Sequence, residues 1–287
     1  MTNALEVHNL CKSYGDFELS SVSFSLPKGS IMGFVGQNGA GKTTTIRCIL
    51  NMALRDSGEV KVCGFDNLKN ELEAKQEIGV VFDEVFFVET WTPSDIEKAI
   101  QGFYSSWNST LYNEYLHKYK LPMKKRVKDL SRGMKMKLML AVAMSHDAKL
   151  LILDEPTSGL DPVARDELLD ILNEYISDGE KSVFFSTHIT SDLEHVAGYI
   201  TLIDNGKIFY SGTKDDLKDH LRSIKGSNTS LTSDLKSKII GLVITTTGFT
   251  GIMRTTDAEG LPSDIATEVP NIEEILIHIS KGEARYE

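Results

Sequence analysis

Eight consecutive residues have types and a spacing that suit phosphate chemistry: Gly36-Gln37-Asn38-Gly39-Ala40-Gly41-Lys42-Thr43. They satisfy G-x-x-x-x-G-K-[ST], in which glycines let the backbone curl until successive N–H groups face phosphate oxygens. Asn38, Gly39, Ala40 and Gly41 would form that cradle, and a helix starting there adds its positive end. Lys42 can reach the β- and γ-phosphates, the Thr43 hydroxyl can ligate Mg²⁺, and Thr44 can add a further hydroxyl contact. A glycine loop beside an exposed lysine can also arise by chance. Here it lies between the apolar run Ser30–Val35 and a helix-compatible stretch from Thr43 to Met52, the context the motif needs.

A pair of acids comes next. Leu150-Leu151-Ile152-Leu153 reads as a buried strand and runs into Asp154-Glu155-Pro156. With the glycine loop upstream, Asp154 would hold the metal or its water, and Glu155 would orient or deprotonate an attacking water. In isolation the same residues are only an acidic turn. His188, just past the apolar run Ser182–Phe185, is a candidate hydrogen-bond donor to a γ-phosphate, although a histidine at a strand end can equally be structural. Tyr14, in Lys12-Ser13-Tyr14-Gly15, could stack its ring on a base.

The elements that must position these residues are legible in outline. Val22, Phe24 and Leu26 alternate with serines, a half-buried strand, whereas Ser30–Val35 looks covered on both faces. Helical spacing marks Asp95–Phe103 and Lys135–Ser145, the latter with Met136, Leu140, Ala143 and Met144 on one side. After His188 we expect one helix and a hairpin turning at Asn205-Gly206. Ser223–Lys238 reads as linker and surface, Leu242–Ile244 as a strand, and Pro270–Lys281 as an amphipathic helix carrying Ile272, Ile275, Leu276 and Ile279. We expect that isoleucine face to pack on the C-terminal unit's own sheet.

Composition bounds the setting. The 287 residues carry 31 Lys+Arg against 41 Asp+Glu, a formal charge of −10, which argues against nucleic acid as a partner. No apolar stretch approaches the ~20 residues of a spanning helix, and the start lacks the pattern of a secretory leader. Three cysteines without metal-ligand spacing fit a reducing cytosol. The charge is uneven. Lys118 to Lys137 holds nine basic residues and one acid, an island of +8 that leaves −18 elsewhere. That strip is either a solvated face or a positive surface offered to nucleotide, an acidic partner face or anionic lipid.

In this order the elements resemble the nucleotide-binding subunit of an ABC transporter. The glycine loop resembles Walker A, and Leu151-Ile152-Leu153-Asp154-Glu155 resembles Walker B with its catalytic glutamate. Ser158-Gly159-Leu160-Asp161 resembles the D-loop, His188 the switch histidine, and Tyr14 the aromatic of the A-loop. Leu130-Ser131-Arg132-Gly133-Met134 sits where that family carries its signature. The resemblance spans roughly residues 4 to 212. It implies an α/β fold: a P-loop RecA-like core with an N-terminal antiparallel β-part and an inserted helical subdomain near residues 84–146. The nucleotide domain would occupy 1–213, and 214–287 would be a small α+β extension. It further implies ATP and Mg²⁺ as ligands, with Glu155 and His188 catalytic and Thr43, Asp83 and Asp154 at the metal. Two such subunits, alike or different, would close head-to-tail over two ATPs. The Ser131 hydroxyl would then meet the partner's γ-phosphate, Gly133 would permit close backbone approach, and Asp161 would contribute from the D-loop.

Two departures stand out. Asp83 replaces the family's usual glutamine after Ile78-Gly79-Val80-Val81-Phe82, and can still bind Mg²⁺ or its water while adding negative charge. Arg132 and Met134 replace glycine and glutamine in the signature, and Arg132 could meet phosphate across the dimer or lie solvated at its rim. The signature and Phe103-Tyr104-Ser105-Ser106-Trp107-Asn108 resemble ABC-2 type exporters of Gram-positive bacteria, such as those for lantibiotics or phenol-soluble modulins. The expected partner is a separately encoded membrane permease, which would hold the subunit at the inner face of the cell membrane. The aromatic cluster is either packing of the helical subdomain or a docking groove for that permease. Two other readings also fit the sequence: a soluble ABC ATPase uncoupled from transport, and a nucleotide-gated regulatory module with little turnover.

Overall fold

Alternating side chains build the first layer. In the computed structural model, which describes residues 2–281, β1 (Asn3–Tyr14) and β2 (Phe17–Pro27) form a long antiparallel hairpin. Val22, Phe24 and Leu26 are buried on β2, while Ser21, Ser23 and Ser25 face solvent. The next strand, β3 (Ile31–Val35), is buried at every position and leads through the glycine loop to α1 (Lys42–Ile49). β4 (Ser57–Val62) and β5 (Phe65–Asp66) complete a sheet of order β2-β1-β4-β5, and α2 (Glu71–Gln76) follows.

A second sheet forms the centre of the molecule. After β6 (Ile78–Val81) the chain leaves for three helices, α3 (Pro93–Ile100), α4 (Ser109–Lys118) and α5 (Arg132–Met144). It returns as β7 (Leu150–Asp154), α6 (Pro162–Tyr175), β8 (Ser182–Thr187), α7 (Thr190–Val196), β9 (Tyr199–Asp204) and β10 (Lys207–Thr213). The strand order is β10-β9-β3-β8-β7-β6, parallel except for the β9–β10 hairpin, whose turn residues Asn205 and Gly206 both have positive φ. β7 and β8 are buried throughout, and each fully buried Leu, Ile or Phe there contributes on the order of 1.5–3 kcal/mol. The carboxyl ends of β3, β6, β7 and β8 lie along one edge, where ligands bind in open parallel sheets.

Caps set the helices beside this sheet. Thr92 and Asp95 form a reciprocal capping box on α3, and the Asn108 side chain accepts the Leu111 amide at 3.0 Å to start α4. Ile96, Tyr112, Leu116 and Leu138 make a small core between the three helices. The α5 helix serves two cores, because Met136, Leu140 and Ala143 face the central sheet.

The C-terminal region departs from the expectation of a linker. α8 (Lys214–His220) leads to β11 (Leu221–Gly226), α9 (Ser233–Lys238), β12 (Ile240–Ile244), β13 (Phe249–Arg254), α10 (Thr255–Ala258), β14 (Ala266–Glu268) and α11 (Ile272–Lys281). The strands form a third sheet, β12-β13-β11-β14, so the segment read as linker holds a central strand and a helix. Its Ser/Thr content is partly capping chemistry: the Thr232 hydroxyl accepts the Leu235 amide at 3.2 Å. Ile272, Ile275 and Ile279 on α11 are buried, but not on their own sheet alone. They join a core with Leu193 and Val196 of α7, and Glu194 of α7 takes Lys218 Nζ at 2.6 Å.

Candidate functional site: a phosphate cleft at the sheet edge

The glycine loop leaves β3 and turns into α1 through Gly41, whose φ of 113° is closed to side-chain-bearing residues. A Cβ there would also stand 2.6 Å from Leu19 Cδ2. Lys42 is 6% exposed and its ammonium donates to the Gly36 and Gln37 carbonyls at 2.8 and 3.2 Å. Glu155 Oε1 lies 3.4 Å away on the same nitrogen. The two carbonyls take two of the three ammonium hydrogens, which leaves one for the longer ionic contact to Glu155 or for an arriving phosphate.

Strand ends bring the acids beside the loop. Thr43 Oγ1 donates to Asp154 Oδ2 at 3.0 Å, and Ser186 Oγ donates to Asp154 Oδ1 at 2.6 Å. The same Ser186 oxygen accepts the Glu155 amide at 3.0 Å. Glu155 itself has a φ of 51°, uncommon for a residue with a side chain and a common mark of functional turns. Its Oε2 is 2.7 Å from His188 Nδ1 and also accepts the His188 amide at 3.3 Å. Glu155 is therefore held between a buried lysine and an exposed histidine, with its carboxylate at the mouth of the cleft.

The cleft measures about 560 Å³ and is lined by Asn38, Gly39, Gly41, Lys42, Thr43, Thr44, Asp83, Glu155 and His188, together with Phe17, Gln37 and Ser158. Asp83 reaches it from the end of β6. Among the described residues no group of three or more His, Cys, Asp or Glu side chains is gathered as a metal site.

The chain is similar to known proteins. The ABC transporter family profile matches residues 19–158. The lantibiotic transport ATP-binding protein SrtF of Streptococcus pyogenes is 34% identical over 218 residues, covering 74% of this chain and 93% of that protein. The bacitracin transport ATP-binding protein BcrA of Bacillus licheniformis is 32% identical over 228 residues, 77% of this chain and 74% of that protein. A solved ATP-binding subunit of an ABC transporter superposes with a TM-score of 0.69 at 26% identity, over 75% of this chain and 92% of that one. This chain belongs to the ABC transporter ATP-binding family.

Not every residue singled out in this ABC ATPase lies in its cleft. Tyr14 is half exposed at the end of β1, with Lys12 Nζ 5.1 Å from its ring centroid. Its cross-strand neighbour Phe17 lines the cleft instead. Ala40 is buried in the loop, where its carbonyl accepts the Gly206 amide at 3.0 Å. Ser131, Gly133 and Asp161 lie outside the lining, at the starts of two helices. Ser131 caps α5 by accepting the Met134 amide at 3.3 Å, and Asp161 caps α6 by accepting Val163 and Ala164 amides at 3.1 and 3.0 Å.

Sequence reasoning missed Ser186 and Asp192, which touch the acids or their turn. Asp192 is 1% exposed, receives the Thr157 hydroxyl at 2.6 Å and pairs with Arg165. It ties the turn after Glu155 to the helix after His188. A serine at a strand end and an aspartate inside a helix carry no motif, so only their placement reveals them. Within the basic strip, Lys118 and Lys137 pair with Glu174 and Glu167, while Lys124, Lys125 and Arg126 stand exposed.

Proposed function

We propose that this ABC ATPase binds and hydrolyses ATP through head-to-tail closure of two nucleotide-binding subunits, and so energises a membrane exporter of peptides, antimicrobials or other amphipathic compounds. The observation that carries the reading is the Glu155–His188 pair, 2.7 Å apart beside the lysine of the glycine loop. In this reading the loop amides and Lys42 hold the β- and γ-phosphates, and phosphate binding draws Lys42 from Glu155. The freed carboxylate orients the attacking water, and His188 donates to the γ-phosphate. Thr43 and Asp154 suit Mg²⁺, an ion that keeps several waters and takes one or two carboxylates plus substrate phosphates. When bound there it would neutralise charge developing on the phosphates. Asp83 supplies a further oxygen at the same edge, and the Phe17 and Tyr14 rings offer a surface for a base.

An exporter reading is supported by the likeness to lantibiotic and bacitracin transport ATP-binding proteins and by a second depression. This groove of about 590 Å³ is lined by Met52, Leu72, Phe82, Phe86, Phe103, Tyr104 and Val142 among others. Phe86 and Phe103 are 71% and 76% exposed, far more apolar surface than packing of the helices alone requires. It suits an amphipathic helix of a permease, which would hold the subunit at the inner face of the cell membrane. Among the described residues no helix is long and apolar enough to cross a membrane.

The deciding experiment is ATP turnover of the protein and of Glu155→Gln. The expected result is that the variant binds ATP and dimerises with it, but hydrolyses it 10²- to 10⁴-fold more slowly, a range of about that size being typical for loss of a positioned base. Equal turnover in both proteins would refute the assignment of Glu155.

A further inference from the structure

Arg132 is where this chain leaves the family's usual signature, and its side chain has a specific neighbour. A Cβ on Gly159 would lie 2.9 Å from Arg132 Cζ, 3.1 Å from Nε and 3.2 Å from Nη1. Those three distances describe a point above Cζ, on the face of the guanidinium plane and not at its edge. Arg132 therefore lies flat over Gly159, whose φ of 67° and missing side chain leave room for it. One residue on, a Cβ at Gly133 would stand 3.1 Å from Ala164 Cβ, so the first turns of α5 and α6 meet directly.

Gly159 belongs to a tight turn that begins at the catalytic acid. The Ser158 amide donates to the Glu155 carbonyl at 3.1 Å, and the Leu160 amide to the Thr157 carbonyl at 3.2 Å. A short path thus runs from Glu155 to Gly159, across to Arg132, and on to Ser131 beside it. Ser131, Arg132 and Gly159 are all exposed, as is Val163 at 69%. Such a face is free to meet a second subunit.

We propose that Arg132 is a positioning residue that locks the signature of this chain to the turn carrying its own Glu155. The inference rests on the head-to-tail dimer proposed above. In that dimer Ser131 meets the partner's ATP while Glu155 serves this chain's ATP. A rigid Arg132–Gly159 contact makes arrival of one nucleotide felt at the other site. The guanidinium acts by its planar face, so a lysine, with the same charge and no plane, does not replace it.

Four variants of the full-length protein test this: Arg132→Gly, Arg132→Lys, Gly159→Ala and the Arg132→Gly/Gly159→Ala double. Each is assayed for the ATP dependence of turnover and for ATP-driven dimerisation in a Glu155→Gln background. Binding of a fluorescent ATP analogue reports whether the cleft is intact. We expect Arg132→Gly to lower kcat about tenfold, leave analogue affinity within twofold and reduce the Hill coefficient to 1. Arg132→Lys and Gly159→Ala should behave alike, and the double variant should be no worse than either single, because contacting residues are not additive. Rescue by lysine would overturn the proposal in favour of a charge contact to phosphate, and additive losses would overturn the shared contact. Unchanged cooperativity in Arg132→Gly removes the role altogether. Should Gly159→Ala fail to fold, the two Arg132 variants still decide, since that side chain is exposed. A wild-type protein that neither hydrolyses ATP nor dimerises with it would instead overturn the proposed function, and this inference with it.

Discussion

The Ser186 hydroxyl donates to Asp154 Oδ1 at 2.6 Å while accepting the Glu155 amide at 3.0 Å, so one serine fixes both acids of the cleft. Its removal should leave a buried carboxylate oxygen without a partner, at about 1–3 kcal/mol, while the Glu155 amide keeps the Ser186 carbonyl at 3.2 Å. We expect Ser186→Ala to unfold at lower denaturant and to need several-fold more Mg²⁺ for half-maximal ATP turnover. A Mg²⁺ titration matching wild type would show that Asp154 needs no such support.

His188 is exposed, and its ring is held by Glu155 through Nδ1. His188→Ala should therefore cost little stability, reduce turnover by about 10²-fold or more, and change ATP affinity only slightly. Stopped-flow or coupled-enzyme rates alongside equilibrium binding will separate the two. A large loss of affinity with normal kcat would assign the histidine to binding alone.

Asp192 is the buried acid between Thr157 and Arg165. Breaking a buried pair by removing one partner costs about 3–5 kcal/mol, and the 27% exposure of Arg165 favours the lower end. We expect Asp192→Ala to lose about 3 kcal/mol in urea unfolding. Turnover should fall too, because the turn after Glu155 is released. Stability within 1 kcal/mol of wild type would contradict this account.

His146 supplies a pH dependence. It is 1% exposed, its Nε2 lies 3.0 Å from the Ile78 carbonyl, and its ring stacks on Tyr104 with centroids 3.8 Å apart. Burial pushes its proton affinity below the ordinary histidine value of 6.5. The unfolded chain therefore binds a proton that the native state resists, and stability falls as pH drops below about 6.5. Urea unfolding at pH 7.5 and 5.5 should show an acid loss on the order of 1 kcal/mol that is absent in His146→Gln. Equal losses in both proteins would place the acid sensitivity elsewhere.

Phe86 and Phe103 should matter to a partner and not to nucleotide. We expect the Phe86→Ser/Phe103→Ser double variant to bind ATP normally and to lose co-purification with its permease. Undiminished co-purification would move the docking face away from this groove.

What the sequence made legible follows from where chemistry and periodicity coincide. The glycine loop, Asp154-Glu155 and His188 each follow an apolar run, and a parallel sheet aligns such runs at one edge. The β2 alternation and the Asn205-Gly206 turn were equally plain. The 223–238 stretch was not, because Ser223 and Ile224 of β11 are both buried and no clean alternation survives. Tyr14 and Phe17 show a finer limit: they stand opposite each other across the hairpin, and Phe17, which lines the cleft, belongs to no motif that marks it in the sequence. Three-dimensional neighbours such as Arg132 and Gly159, 27 positions apart, leave no pattern in the chain.

The seam between α7 and α11 has a practical consequence. Ile272, Ile275 and Ile279 are shared with Leu193 and Val196, only a few positions after His188. Lys214 donates to the Glu194 carbonyl, and Lys218 and the Ile272 amide donate to its carboxylate. Ending the chain at residue 213 would strip that helix of its cover and bare an oily surface, so a shortened protein should aggregate sooner than it simplifies. Whatever tugs on the tail of this molecule also leans on the helix that follows His188.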